Sequence, residues 1–204
     1  MHALNKEFAS IHAFPGDVAA PQMNTHPARI LQFGEGNFLR GFVDWMVDRM
    51  NRQGLFQGRV KVVQPIERGL IDLLNDQDGL YTLYLRGLEK GEPREQKEVI
   101  ASIAGGINPY ADFEAFLAEA ENPDLRFVVS NTTEAGISYN ADDSAEDAPP
   151  ASFPAKVLLL LKRRYETFGA DAGKGLVFLP CELIDRNGDN LKRIVLRLAE
   201  EWGL

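Results

Sequence analysis

The stretch that decides the fold reads Arg29-Ile30-Leu31-Gln32-Phe33-Gly34-Glu35-Gly36-Asn37-Phe38-Leu39-Arg40. It opens with a short apolar run that stops at Gly34, a pattern typical of a buried strand. Beyond the glycines, large apolar side chains recur every three or four residues, which predicts a helix of about four turns. They are Phe38, Phe42, Val43, Trp45, Met46 and Met50. A second apolar run at Val60–Gln64 completes a predicted βαβ unit.

The rest of the chain alternates between strand and helix patterns. Strands are predicted at Leu80–Arg86, Glu98–Ile103, Arg126–Ser130 and Gly175–Leu179, and helices at Asp112–Glu121, Pro154–Phe168 and Asp189–Trp202. The second of these helices is expected to turn Val157, Leu158, Leu161 and Tyr165 inward. Such alternation predicts an α/β fold with a doubly wound, mostly parallel, Rossmann-like sheet. The polar segment Gly87–Lys97 is expected to connect an antiparallel hairpin inserted around residues 80–103.

The N-terminal residues, 1–28, have a different character from the rest. They show no sustained periodicity and contain Pro15, Pro21 and Pro27, so an irregular arm is predicted there. The remaining residues, 29–204, suit a single domain that can bury a sizeable core.

The composition favours a soluble intracellular protein and excludes several classes of partner. The chain has 22 basic and 30 acidic residues, a net charge of −8, and no basic stripe, so no nucleic-acid partner is predicted. Its apolar runs are far shorter than the ~20 residues that span a bilayer, and neither a membrane partner nor a signal peptide is predicted. The single cysteine, Cys181, excludes an internal disulfide and fits the cytoplasm. The three histidines, His2, His12 and His26, lack metal-ligand spacing, so no metal site is predicted.

The glycine turn between the first strand and the first helix is the strongest candidate site. Gly34 would permit a tight turn, and Gly36 would let the backbone approach a dinucleotide's diphosphate at the helix N-terminus. The candidate cofactor-binding residues are Gly34, Glu35, Gly36, Asn37, Phe38, Leu39 and Arg40. Leu39 stands where the usual fingerprint has a third glycine, and it is expected to push the helix away from the strand. The alternative is a plain strand–turn–helix connection.

A carboxylate near the end of the second strand would bind the hydroxyls of a cofactor ribose. Glu67 follows that strand, 31 residues beyond Gly36, and favours NAD over NADP if it faces the ribose. The neighbouring Arg68 argues for the reverse, and Glu67 is equally compatible with a solvated loop.

Two further candidate loops follow later strands of the predicted sheet. Ser130, Asn131 and Thr132 would line the ribose next to nicotinamide, or else form a turn bonded to its own backbone. Asn187 would donate an amide hydrogen to a substrate carbonyl as that carbonyl accepts hydride. The alternative for Asn187-Gly188 is a turn that begins the last helix.

These motifs together resemble a known family. Gln32–Arg40 followed by Phe42-Val43-Asp44-Trp45 resembles the opening of tagaturonate reductases, a branch of the mannitol dehydrogenase (long-chain polyol dehydrogenase) family. The later stretches that resemble the same branch are Gln77–Thr82, Ser130–Tyr139, Pro154–Lys156 and Pro180–Asp185. Leu39 itself favours this branch, because fructuronate reductases and mannitol dehydrogenases have histidine at that point of the motif.

The resemblance implies NAD-dependent interconversion of D-altronate and D-tagaturonate in hexuronate breakdown, with a sugar acid as the small-molecule substrate. It implies that Asn187 polarises the substrate carbonyl and that Glu134 assists proton movement beside a catalytic lysine. In the family that lysine lies in a helical C-terminal domain, which has no counterpart in these 204 residues and is expected to pack on them. The chain alone is therefore expected to bind cofactor without turnover. The alternatives are a non-catalytic dinucleotide-binding module and a related polyol or fructuronate dehydrogenase.

Overall fold

The computed structural model describes residues 4–133 and 135–204. In chain order the strands of this part are β1 (Val18–Ala19), β2 (Ala28–Phe33), β3 (Arg59–Val63), β4 (Tyr81–Glu89), β5 (Glu92–Ile100), β6 (Ile103–Ile107), β7 (Phe127–Ser130) and β8 (Val177–Pro180). The α-helices are α1 (Lys6–Ile11), α2 (Asn37–Leu39), α3 (Trp45–Arg52), α4 (Ile71–Asp76), α5 (Phe113–Ala118), α6 (Phe153–Phe168) and α7 (Asn187–Glu201). A π-helical stretch, Arg40–Asp44, makes α2 and α3 continuous.

Five of these strands form a parallel sheet in the order β6-β3-β2-β7-β8. By position along the chain this is the order 3-2-1-4-5, which is that of a doubly wound dinucleotide-binding sheet. Apolar clusters cover both faces, one packed against α5, α6 and α7 and the other against α3 and α4. The predicted fold class is therefore confirmed. Its switch point, where the order reverses, lies between the carboxyl ends of β2 and β7.

The helix after the glycine turn packs Val43, Trp45 and Met50 against the core, but the other three apolar residues of its predicted set are exposed. Phe38, Phe42 and Met46 are 52%, 43% and 39% exposed, whereas Asp44 and Asp48 are buried. A π-helical turn holds one more residue than an α-helical turn and so rotates the residues that follow it. In this helix Asp44 and Asp48 lie in the core, while Phe38 and Phe42 form an aromatic stripe at the surface.

The hairpin is longer than predicted, and the expected connection at 87–97 is wrong. β4 and β5 pair in register from Tyr81↔Ile100 to Glu89↔Glu92, so only Lys90 and Gly91 form the turn. These polar strands are held by cross-strand charges, as where the Arg86 guanidinium lies 2.6 Å from the Glu95 carboxylate. With β1 they form a separate three-stranded sheet rather than part of the parallel one.

Other parts of the chain also differ from the prediction. β6 was not predicted, because the two glycines of Ile-Ala-Gly-Gly-Ile hide its apolar alternation. The arm at 1–28 is not wholly irregular, since its described part contains α1 and β1, which pack against the hairpin sheet. Tyr165 of α6 is 66% exposed and does not face inward. In the described residues no helix combines the length and the apolar character that crossing a membrane requires.

Candidate functional site

The glycine turn occupies the switch point, where the loops after β2 and β7 touch. Gly34 has φ +122° and donates its N–H to the Val63 carbonyl at 3.0 Å. A Cβ placed on Gly34 would lie 2.9 Å from the backbone oxygen of Asn131. Gly34 is therefore required twice, by its backbone conformation and by the close approach of the neighbouring loop.

Gly36 begins the helix and faces open space. Its φ is −70°, and a Cβ there would meet no atom within 4 Å. In the described structure no side chain caps this helix start, so the first amide N–H groups of the helix stay available. Uncapped amides at the positive end of a helix dipole are suited to bind an anion such as a diphosphate.

Leu39 and Arg40 fix the start of the helix behind the turn. Leu39 is buried in the cluster on the α3–α4 side of the sheet, so it fills the space between strand and helix that a glycine would leave empty. Arg40 donates from Nη2 to Asn37 Oδ1 at 2.6 Å and lies over the ring of Tyr81. The rings of Phe38 and Phe42 contact each other on the exposed side, tilted by 31° with centroids 5.5 Å apart.

Two carboxylates lie near the end of β3, Glu67 in the loop that follows it and Glu35 in the glycine turn. Glu67 is exposed and accepts one hydrogen bond, through its backbone carbonyl, from Gln64 Nε2 at 3.0 Å. Glu35 of the glycine turn is nearly buried, and its Oε1 accepts the Leu70 N–H at 3.3 Å. A pocket of 80 Å³ opens beside it, lined by Glu35, Arg40, Leu70, Leu73, Leu74, Gln77 and Tyr81. Glu35 thus ties the glycine turn to the loop after β3, a role that sequence spacing did not indicate.

Side chains of the loop after β7 fasten it to the loop after β8. Glu182 Oε1 accepts the Thr132 N–H at 3.0 Å and the Thr132 hydroxyl at 2.9 Å, while Oε2 accepts the Ser130 hydroxyl at 3.0 Å. Asn131 Nδ2 donates to the Cys181 carbonyl at 2.9 Å. Among the described residues, the hydrogen bonds of these three side chains therefore run to the loop after β8 and not to their own turn. Sequence reasoning missed Glu182, whose only signal was its place within the resembling Pro180–Asp185 stretch.

Of the two predicted catalytic residues, only Asn187 lies in the described part of the structure. Asn187 is the first residue of α7, and its amide group donates to the carbonyls of Pro180 at 2.8 Å and Glu182 at 3.1 Å. In this arrangement both amide hydrogens hold the loop after β8, so polarising a substrate would require the amide to turn. Glu134 lies outside the described residues. In those residues no cluster of histidine, cysteine, aspartate or glutamate has metal-site geometry.

A buried carboxyl lies directly behind the turn. Gln32 Nε2 donates to the Gly34 carbonyl at 3.0 Å and to Asp44 Oδ2 at 3.2 Å, joining the turn to the π-helical stretch. Burial raises the pKa of Asp44 to about 7, although the hydrogen bond from Gln32 and the charge of Arg40 both act to lower it. Asp44 Oδ1 has no hydrogen-bond partner among the described residues.

A buried amine lies at the start of α6. Lys156 Nζ donates to the Ala151 carbonyl at 2.8 Å and contacts the Tyr110 hydroxyl at 3.1 Å, and the side chain is fully buried. Burial lowers its pKa from 10.5 to about 8, although the negative charge of Asp143 opposes this shift.

The free energy of unfolding should therefore rise as the pH rises from about 8 to 10.5, because only the unfolded chain keeps the Lys156 proton in that window. The rise should approach about 3 kcal/mol. Urea unfolding of wild type and Lys156→Met at pH 7.5, 9 and 10.5 would measure this contribution. It is the difference between the two proteins in how their free energy of unfolding changes with pH. Parallel profiles for the two proteins would contradict the assignment.

The order of the parallel sheet and the uncapped glycine turn at its switch point define the class, a Rossmann-type dinucleotide-binding domain. The family model described as "Mannitol dehydrogenase Rossmann domain" matches residues 28–203. The chain belongs to the mannitol dehydrogenase family.

Two curated relatives are each named altronate oxidoreductase. The protein from Klebsiella pneumoniae subsp. pneumoniae is 54% identical over 180 residues, which cover 88% of this chain and 37% of the relative. The protein from Bacteroides thetaiotaomicron is 46% identical over all 204 residues, 40% of its own length. The chain thus spans about two fifths of the length of these relatives.

Solved structures show the same fold at low identity. Pseudomonas fluorescens mannitol 2-dehydrogenase, in complex with NAD and D-mannitol, matches with a TM-score of 0.78 at 22% identity, over 98% of this chain and 42% of that chain. A substrate-free D-sorbitol dehydrogenase matches with a TM-score of 0.79 at 21% identity, over 98% of this chain and 43% of that chain.

Proposed function

We propose that this chain is the NAD-binding part of an enzyme that interconverts D-altronate and D-tagaturonate. The observation that carries the proposal is the open, uncapped helix start at Gly36, directly after a turn that only glycine fits at position 34. The identity to altronate oxidoreductases supports the substrate class. Cys181, the only cysteine, is unpaired and fits a reducing compartment such as the cytoplasm.

Each loop at the carboxyl edge of the sheet would have one task. The amides from Gly36 onward would bind the diphosphate, and Phe38, Leu39 and Arg40 would keep the helix start in place. Glu67 and Glu35 lie on the β3 side, where a carboxylate would bind the ribose of the adenosine half. Ser130, Asn131 and Thr132 lie on the β7 side, where they would line the nicotinamide half. NAD supplies the acceptor or donor of hydride when it is bound.

The remaining chemistry would need groups from the part of the relatives that this chain does not cover. Reduction of a keto group takes hydride from NADH and one proton for the oxygen, and a general acid contributes about 10²–10⁴-fold in rate. Asn187 would polarise the carbonyl after its amide turns from the Glu182 carbonyl, and Glu134 would help to deliver the proton. A helical partner domain carrying a lysine would then complete the site.

Fluorescence titration of the 204-residue chain with NADH tests the cofactor assignment. We expect saturable binding to wild type and at least about tenfold weaker binding to Gly36→Val, because a Cβ there would keep the diphosphate from the amides. The stability of Gly36→Val should fall by no more than about 1 kcal/mol, since the position is a helix N-cap in open space. Absence of NADH binding by the folded wild type would refute the proposal.

The same preparation should not reduce D-tagaturonate with NADH at a measurable rate. Robust turnover by the isolated chain would show that it contains its own acid–base group. A non-catalytic dinucleotide-binding module would bind NADH equally well, so the assay should be repeated on a protein that continues through the length of the relatives. Activity of that longer protein on another polyol, and not on altronate, would favour a related dehydrogenase.

A further inference from the structure

The Glu182 carboxylate is buried without a positive partner. Glu182 is 3% exposed, and its carboxylate oxygens accept three hydrogen bonds from Ser130 and Thr132. Among the described residues no lysine, arginine or histidine nitrogen lies within 4.0 Å of it. Nearby Arg186 is largely exposed and pairs instead with Asp189 at 3.3 Å. The charge of Glu182 is therefore held in place by hydrogen bonds but not neutralised.

The position of this charge relative to a bound dinucleotide follows from the sheet order. The glycine turn after β2 would hold the diphosphate, and the adenosine ribose would extend toward the end of β3. The nicotinamide half must then extend the other way, across β7 toward β8. Glu182 follows β8 and fastens the loop after β7, so it lies on the nicotinamide side of the crevice.

We propose that the Glu182 carboxylate makes the site prefer the oxidised cofactor, an inference that rests on the proposed function. The nicotinamide ring carries one positive charge in NAD and none in NADH. A fixed negative charge stabilises the cationic ring and leaves the neutral ring almost unaffected. The same bias favours departure of hydride from NADH to the keto carbon, while the keto oxygen takes a proton and NAD remains bound.

Glu182→Gln separates charge from structure. Glutamine has the same shape, its oxygen can accept both bonds from Thr132, and its amide can donate to the Ser130 hydroxyl. In this variant we expect the affinity for NAD to fall about three- to tenfold relative to the affinity for NADH. A change of this size is what loss of one charge at a partly solvated distance would cause. Calorimetric titration with each form of the cofactor would measure it. Glu200→Gln is the matched control, because it removes the same charge from an exposed site at the far end of α7 and should leave the ratio unchanged.

Thr132→Val makes the complementary change, removing a hydrogen bond to Glu182 while keeping the charge. It should weaken both cofactor forms alike. An unchanged ratio in Glu182→Gln would overturn the proposal, and so would a ratio that moves in Thr132→Val. If Glu182→Gln fails to fold, a ratio that moves in Thr132→Val would still overturn the proposal. Failure of wild type to bind either form would count against the dinucleotide site itself and not against this role of Glu182.

Discussion

Gly34→Ala should destabilise the domain by about 2–4 kcal/mol and weaken NADH binding by at least about 100-fold. Alanine at φ +122° is strained, and its Cβ would meet the Asn131 carbonyl oxygen at 2.9 Å and a Leu39 methyl group at 3.3 Å. Both neighbours hold the switch point, since one belongs to the loop after β7 and the other to the helix core. The turn would have to open, which would misplace the amides that follow it.

Two other glycines separate the contributions to this effect. Gly54 has φ +71° with no atom near its Cβ position, so Gly54→Ala measures backbone strain alone and should cost about 1 kcal/mol. Gly36→Ala has neither strain nor a clash and should lose about 1 kcal/mol at most. Urea denaturation gives the three stabilities, and NADH titration gives the affinities. A Gly34→Ala protein as stable as Gly36→Ala would show that the contact with Asn131 is not rigid.

Asp44→Asn should stabilise the protein at pH 8 by about 2–4 kcal/mol and have little effect at pH 4. The pKa of Asp44 is raised from 3.8 to about 7, so between these values the folded state binds a proton that the unfolded chain has lost. Stability therefore falls as the pH rises through this window, and the full cost of the buried charge is present above pH 7. Asparagine removes that charge and can still accept the hydrogen bond from Gln32.

Asp48→Asn, one turn further along the same helix, is the matched control. Asp48 accepts the Ala101 N–H at 2.9 Å and pairs with Arg52 at 2.6 Å, so loss of its charge should destabilise the protein by about 1–3 kcal/mol. Chemical denaturation of both variants at pH 4, 6 and 8 would show whether the two substitutions change the free energy of unfolding in opposite directions at pH 8. Destabilisation by Asp44→Asn at pH 8 would mean that the Asp44 charge is compensated in the folded state.

The sequence by itself determined the class of fold and the place of the candidate site. The apolar run before Gly34, the helical spacing after it and the next apolar run are local patterns, and local geometry alone converts them into a parallel βαβ unit. The same holds for β7 and α6, whose predicted bounds lie within one residue of the observed ones. Gly34 marks the turn in the sequence because its backbone conformation and the close approach of Asn131 both exclude a side chain.

Only the tertiary structure decided which side chains cooperate. Ser130 and Thr132 contact Glu182, which lies about 50 residues further along the chain, and Glu35 contacts Leu70, which lies 35 residues further. Periodicity in the sequence cannot predict contacts between residues so far apart. The polar composition of the hairpin strands predicts a loop. Only the pairing of the two strands brings their opposite charges together and stabilises them as strands. The π-helical turn that buries Asp44 also depends on neighbouring packing. Local pattern fixes backbone geometry, whereas contacts between distant segments exist only once the sheet has brought its strands together.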